Sequence, residues 1–161
     1  MRLAQFMQSV SPSQVNSYLS CPAYWASTRL SGVYIPAGPA AARGNAIEAG
    51  LVAGCLTGLD VSAMVDIAHA AFDSEHSVAA LNLGNDPVAQ QRAQIAPAIA
   101  NAWTVLQQYG KVSVPDDHRN QWEVIAPMPG DLGITLRGFT DFVFPAAGVI
   151  VDLKTTSRVP N

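Results

Sequence analysis

Ile134-Thr135-Leu136-Arg137-Gly138-Phe139-Thr140-Asp141-Phe142-Val143-Phe144, then Pro145-Ala146-Ala147-Gly148, then Val149-Ile150-Val151-Asp152-Leu153-Lys154-Thr155-Thr156 is the stretch on which the rest of the chain is organised. Both flanks are rich in β-branched and aromatic residues, and the four residues between them supply turn chemistry. The pattern predicts an antiparallel hairpin with strands at 134–144 and 149–156. Phe144 then faces Val149, and counting back sets Asp141 opposite Asp152. A two-residue loop at Ala146 and Ala147 leaves that register unchanged.

Side chains alternate along a strand and directly opposed residues share a face, so Asp141, Asp152 and Lys154 converge. Two carboxylates with Cβ atoms roughly 5 Å apart repel by about 3 kcal/mol at an effective dielectric near 20. Solvated strand ends would tolerate such charges, but here apolar residues flank each of them. A divalent cation resolves the repulsion, because hard ions such as Mg²⁺ take one or two carboxylates and keep waters that a phosphate can displace. A lysine beside that ion completes a site for phosphoryl oxygens.

At these residues the chain resembles the RecB-type branch of the PD-(D/E)XK nuclease superfamily. That family carries an Asp on its second core strand and Asp/Glu-x-Lys on its third; Gly138-Phe139-Thr140-Asp141 and Asp152-Leu153-Lys154 are similar to both. The resemblance implies that Asp141, Asp152 and the Leu153 backbone carbonyl hold Mg²⁺ or Mn²⁺, with Lys154 positioning or activating the attacking water.

The composition suits one globular domain, 49% apolar and 13% charged. The formal net charge of −3 and the lack of a basic run exclude a phosphate-binding surface built on charge alone, so any DNA contact must be local, metal-assisted or shared with a partner. Cys21 and Cys55 lack metal-ligand spacing, and a disulfide between them is not expected. No signal peptide or long apolar run is visible, which points to a chain that works in the cytoplasm, without a membrane partner.

Ser11-Pro12-Ser13-Gln14 predicts a helix start, with Ser11 as N-cap, Pro12 in the first turn and Gln14 closing a capping box. Val15, Tyr18 and Leu19 form its apolar side with Tyr24 and Trp25, and Cys21-Pro22 ends it. The same residues are similar to the Ser-x-Ser-x-Leu-x-x-Tyr-x-x-Cys-Pro opening of RecB-type nucleases, with Val15 in place of Leu. In some relatives that Cys holds an iron-sulfur cluster with three later cysteines, which this sequence lacks, so no cluster is expected.

A second helix is predicted over 40–57, where Gly44 and Glu48, four apart, share a face. The glycine would let that face approach another element closely, with the carboxylate pointing at the same neighbour. The family carries Gly-x-x-x-His or a Glu at this place, and Gly44-x-x-x-Glu48 resembles the Glu form, which implies that Glu48 completes the metal shell. Arg43 either reaches a DNA phosphate or is a solvated helix residue. By the same resemblance Arg43, Arg137, Thr155, Ser13 and Tyr18 are the residues expected to face DNA.

Further helices are predicted at 60–80 and 86–109, the latter kinked at Pro97 and read as neutral scaffold. His69 and His76 read as surface or packing residues, and Asp116-Asp117-His118 as a turn. A first core strand spans 121–128, with Glu123 facing either solvent or the site. The family continues beyond the lysine with a Gln-x-x-x-Tyr helix and another strand, and neither is present here. An exposed sheet edge would then need a partner chain or a second copy to cover it.

Together these features predict an α+β fold, helices packed on a small, mostly antiparallel sheet, and the resemblance implies that its core is of the restriction-endonuclease type. A single domain over 1–161 is expected, divided into an N-terminal motif and Glu helix (11–57), a helical insertion (60–110) and a core sheet with its metal site (121–156). The resemblance implies a metal-dependent DNA exonuclease of the recombination and repair type found in bacteria and phages. The competing expectation is a catalytically incomplete module of the same fold, acting in nucleic-acid binding or assembly.

Overall fold

Proline at a first-turn position organises the start of the chain twice. In the computed structural model, which describes residues 8–31, 38–75, 88–113, 115, 121–130 and 133–155, helix α1 (Pro12–Ser20) begins at Ser11, whose hydroxyl accepts the Gln14 N–H at 3.3 Å. The predicted capping box stays open: Gln14 Oε1 is buried and has no hydrogen-bond partner among the described residues. Removing the Ser11 hydroxyl (Ser11→Ala) is expected to lower unfolding stability by about 1 kcal/mol, read by urea denaturation. Pro22 ends α1 as expected, but it also opens α2 (Pro22–Arg29), a helix that the pattern of apolar residues does not announce. A proline that cannot continue one helix is preorganised to begin the next. Trp25 on α2 is buried and meets the Tyr18 ring edge-on at 5.4 Å.

The chain forms two compact units, Met1–Ile35 with Gln121–Thr140, and Pro36–Asn120 with Asp141–Asn161. In the first, β1 (Ser9–Val10), β2 (Trp122–Pro127) and β3 (Thr135–Thr140) make a sheet in the order β1-β3-β2. β1 runs parallel to β3, and β2 antiparallel, from Trp122↔Thr140 to Pro127↔Thr135. Glu123 and Arg137, diagonal neighbours across that ladder, form an ion pair, which answers where Glu123 points.

The second unit is mainly helical. Helix α3 (Pro39–Thr57) ends at Gly58, whose φ of 70° suits glycine, and Asp60 caps α4 (Val61–Ser74) by accepting the Ala63 N–H at 2.8 Å. α3 and α4 come together where Gly50 and Gly54 leave room: a Cβ on Gly50 would stand 2.5 Å from the Met64 carbonyl oxygen. α4 stops at Ser74, short of the predicted end; His76 and the Asp86-Pro87 start of the next helix lie outside the described residues.

The helix predicted over 86–109 is divided into α5 (Val88–Ala93), α6 (Ile95–Leu106) and a 3₁₀ turn (Gln107–Tyr109). The break falls at Gln94 rather than at Pro97. A proline ring clashes with the carbonyl four residues before it, here that of Ala93, so the disruption appears one turn upstream. Arg92 on α5 makes two 2.8 Å hydrogen bonds to the Asp73 carboxylate on α4. The core of this unit gathers Ile47, Leu51, Met64, Phe72, Ile95, Ile99, Phe142 and Phe144, all essentially inaccessible to solvent.

The predicted hairpin is corrected in one respect. Its register holds, with Phe144 paired to Val149 and Phe142 to Val151, but only β4 (Phe142–Phe144) and β5 (Val149–Val151) take part. The residues of β3 pair with β2 instead, and Asp141 belongs to neither ladder. The single long strand expected over 134–144 is thus two strands in two sheets. The predicted fold class stands: an α+β chain with small mixed and antiparallel sheets. Asp116-Asp117-His118 lies outside the described residues.

Both cysteines are free thiols, Cys21 exposed and Cys55 on α3 half-buried. Burial pushes the Cys55 thiol up to about 11, so little nucleophilic thiolate exists there at pH 8. A maleimide pulse at pH 8 followed by mass spectrometry is expected to modify Cys21 within minutes and Cys55 far more slowly.

Candidate active site

The β4-β5 ladder stops one pair short of Asp141 and Asp152, and each carboxylate finds its own partner there. Asp141 Oδ2 accepts the Leu153 N–H at 2.6 Å. Asp152 forms an ion pair with Lys154 at 2.6 Å, both side chains mostly exposed. The repulsion foreseen between two opposed aspartates is therefore relieved locally, by a backbone donor on one side and an ammonium on the other. Asp141 also ties the segment before β4 to the one after β5, across the open end of the ladder.

Glu48 joins this group through α3. Gly44, one turn before it, brings the helix so close to the chain after β5 that an added Cβ would stand 3.0 Å from Thr155 Oγ1. The close approach that the Gly44-x-x-x-Glu48 spacing predicts is thus made, and its neighbour is the segment carrying Lys154. The hydrogen bond from Asp152 raises the Lys154 pKa above the ordinary lysine value, partial burial opposes this, and the negative fields of Asp152, Asp141 and Glu48 add to the rise. Lys154 is therefore an ammonium at neutral pH. Three carboxylates act on a single cation, an excess of two negative charges, and every donor in the group is a hard oxygen. Among the described residues, no three His, Cys, Asp or Glu side chains stand close enough to hold one ion as they are.

Arg43 is neither solvated nor outward-facing. It is 6% exposed, donates to Gln94 Oε1, and donates from its other terminal nitrogen to the Thr155 carbonyl at 3.2 Å. A guanidinium committed in this way is unavailable for the phosphate contact expected of it, and fastens α3 to the end of β5 instead. Thr155 is half-buried, held by Arg43 and lying against Gly44.

The other residues expected to face DNA lie in the first unit. Arg137 pairs with Glu123 and lies 5.4 Å from the Phe139 ring centre. The Ser13 hydroxyl bonds that of Ser11 at 2.9 Å, and Tyr18 is half exposed beside Trp25.

Sequence reasoning missed Gln94, the partner of Arg43, and with it a groove of about 480 Å³ lined by α3, α6 and the segment 153–155. A polar residue at the interruption of a helix just ahead of a proline was the available signal.

The chain belongs to the PD-(D/E)XK nuclease superfamily, whose family model it matches over residues 9–161. The superfamily is one of nucleases that typically use divalent metal ions, so a nucleic-acid substrate follows at that level. Comparison with curated proteins and with solved structures returned no match. Among the described residues no helix is long and apolar enough to cross a membrane.

Proposed function

We propose that this chain is a metal-dependent deoxyribonuclease of the RecB-type branch, an exonuclease of recombination or repair in the cytoplasm of a bacterium or a phage-infected cell. The observation that supports the reading is that Asp152, Asp141 and Glu48 all act on one lysine, Lys154, Asp152 through an ion pair and the other two through their negative fields. Their excess of two negative charges is what Mg²⁺ or Mn²⁺ would offset, with Glu48, Asp141, Asp152 and the Leu153 carbonyl as its ligands. A bound divalent ion supplies a water of lowered pKa and a counter-charge for the transition state. Lys154, already protonated at neutral pH, fits a role in orienting water and phosphate and not one as general base.

Incubating end-labelled linear DNA and closed circular DNA with and without Mn²⁺ tests this. Mn²⁺-dependent loss of the linear form alone is the expected result; cutting of the circle would replace exonuclease with endonuclease, and no cleavage of either would remove the activity.

A second reading is favoured by a specific observation: Asp141 and Asp152 are each engaged within the chain, and no three-ligand cluster is assembled among the described residues. On that reading the protein is a catalytically incomplete module that binds nucleic acid or assembles with a partner or a second copy across a sheet edge. Calorimetric titration with Mn²⁺ separates the two, since the module binds no ion.

A further inference from the structure

After Val151 the chain leaves its ladder, and among the described residues 152–155 pairs with no strand. Lys154 sits inside that stretch. Its ion pair with Asp152 is exposed on both sides, and an exposed pair fixes little. The place of the ammonium is therefore set by what holds the backbone before and after it. Before it, the Leu153 N–H donates to Asp141, and the Leu153 side chain packs against the core of the helical unit. After it, the Thr155 carbonyl accepts from Arg43.

These two anchors differ in kind. Asp141 is one of the carboxylates proposed to hold the metal, so an ion drawing on it would share the group that the Leu153 N–H uses. Arg43 instead bonds two neutral acceptors, the Gln94 side-chain amide and the Thr155 carbonyl, from two different nitrogens. Its anchor is not in competition with a metal. A planar guanidinium can bridge acceptors on two elements in one fixed geometry, which a lysine ammonium cannot. Gln94, at the break between α5 and α6, takes one side of it and leaves the other to Thr155. Arg43 also belongs to α3, the helix that carries Glu48. A direct bond thus joins the element of the glutamate to the backbone beside the lysine, where Gly44 already brings the two together.

We propose that Arg43 is a positioning residue: through the Thr155 carbonyl it fixes the backbone after Lys154, and with it the spacing between that ammonium and Glu48, while Gln94 orients the guanidinium. Buried as it is, Arg43 has almost no surface to offer a phosphate. The consequence for cleavage rests on the nuclease reading: loss of Arg43 should slow the chemical step without weakening the hold on DNA.

The test compares Mn²⁺-dependent cleavage by the wild-type chain, Arg43→Lys, Arg43→Ala and Gln94→Leu over a range of DNA and salt concentrations. Hydrogen exchange of the Leu153 amide is followed by NMR in the same proteins without metal. In Arg43→Lys, kcat is expected to fall by about ten- to a hundredfold, the cost of misplacing a group by about 1 Å, with KM and its salt dependence unchanged. Exchange of the Leu153 amide should accelerate at least about tenfold, because its segment has lost the second anchor. Guanidinium ion, far below denaturing concentrations, can reach the site in Arg43→Ala through the groove that Arg43 lines, and should restore part of kcat where methylammonium does not. Gln94→Leu keeps the Thr155 bond and should show a smaller loss of kcat, which preserves the test if the alanine variant fails to fold. A raised KM with a shallower salt slope would make Arg43 a phosphate contact and overturn the proposal, as would unchanged kcat and exchange in Arg43→Lys. Failure of the nuclease reading alone would appear differently, as no cleavage by the wild-type chain but faster Leu153 exchange in Arg43→Lys, which would still support the anchor.

Discussion

Asp152→Ala is expected to reduce DNA cleavage by about a thousandfold or more, the scale of losing a group that stabilises transition-state charge, while leaving the fold unchanged. The second half of that expectation is what makes the first informative. Asp152 follows the last residue of β5, its side chain is 53% exposed, and it pairs with Lys154, which is more exposed still. An exposed ion pair of this kind contributes little to stability, and surface changes of its type stay within about 0.5 kcal/mol. Circular dichroism and the urea midpoint should therefore match the wild-type chain. Loss of the carboxylate also takes from Lys154 the first cause of its raised pKa and leaves the fields of Asp141 and Glu48 acting on it. Asp152→Asn, which keeps the shape and removes the charge, should be as inactive as the alanine variant. Cleavage at the wild-type rate by either one would end the assignment of Asp152 to the site.

What the sequence made legible was local. Gly44 and Glu48 announced a helix face that closes on a neighbour, and that face does close on Thr155; the turn chemistry of Pro145 to Gly148 set the Phe144↔Val149 register that is observed. What stayed hidden depended on partners distant in the chain. From Thr135 to Phe144 strand-forming residues are interrupted only by Gly138, which lies inside β3, and by Asp141 itself, and no glycine or proline adjoins Asp141 to mark the change of partner there. The tertiary choice between β2 and β5 as neighbour is invisible to a period-two pattern. The burial of Arg43 is hidden for a similar reason. It depends on Gln94, fifty-one residues later, and on the carbonyl of Thr155, one hundred and twelve residues later. The predicted meeting of Asp141 and Asp152 was right in register and wrong in detail, because the ladder ends before them and each carboxylate takes a nearer donor.

Gly50→Ala is expected to destabilise the protein by about 2 to 3 kcal/mol, although alanine is the better helix former by roughly 1 kcal/mol in an exposed helix. The reversal of sign comes from the α3–α4 contact. A Cβ at Gly50 would lie 2.5 Å from the Met64 backbone oxygen, 3.1 Å from Ile99 Cδ1 and 3.2 Å from the Ala68 Cβ, so backbone from α4 and side chains from both α4 and α6 surround it. Backbone cannot rotate away, and the two helices must separate, loosening Leu51, Met64 and Ala68, which are completely inaccessible to solvent. Gly54→Ala, one turn later, has the flexible Met64 thioether as its nearest obstacle and should be milder, because a methionine can change rotamer. The melting temperature of Gly50→Ala should fall by roughly 5 to 10 °C, and that of Gly54→Ala by less. If Glu48 is a metal ligand as proposed, separation of α3 from its neighbours also displaces it relative to Lys154, and the Gly50 variant should lose affinity for Mn²⁺ under conditions where it is still fully folded. A Gly50→Ala protein as stable as the wild-type chain, or more so, would show that α3 and α4 do not pack at this distance.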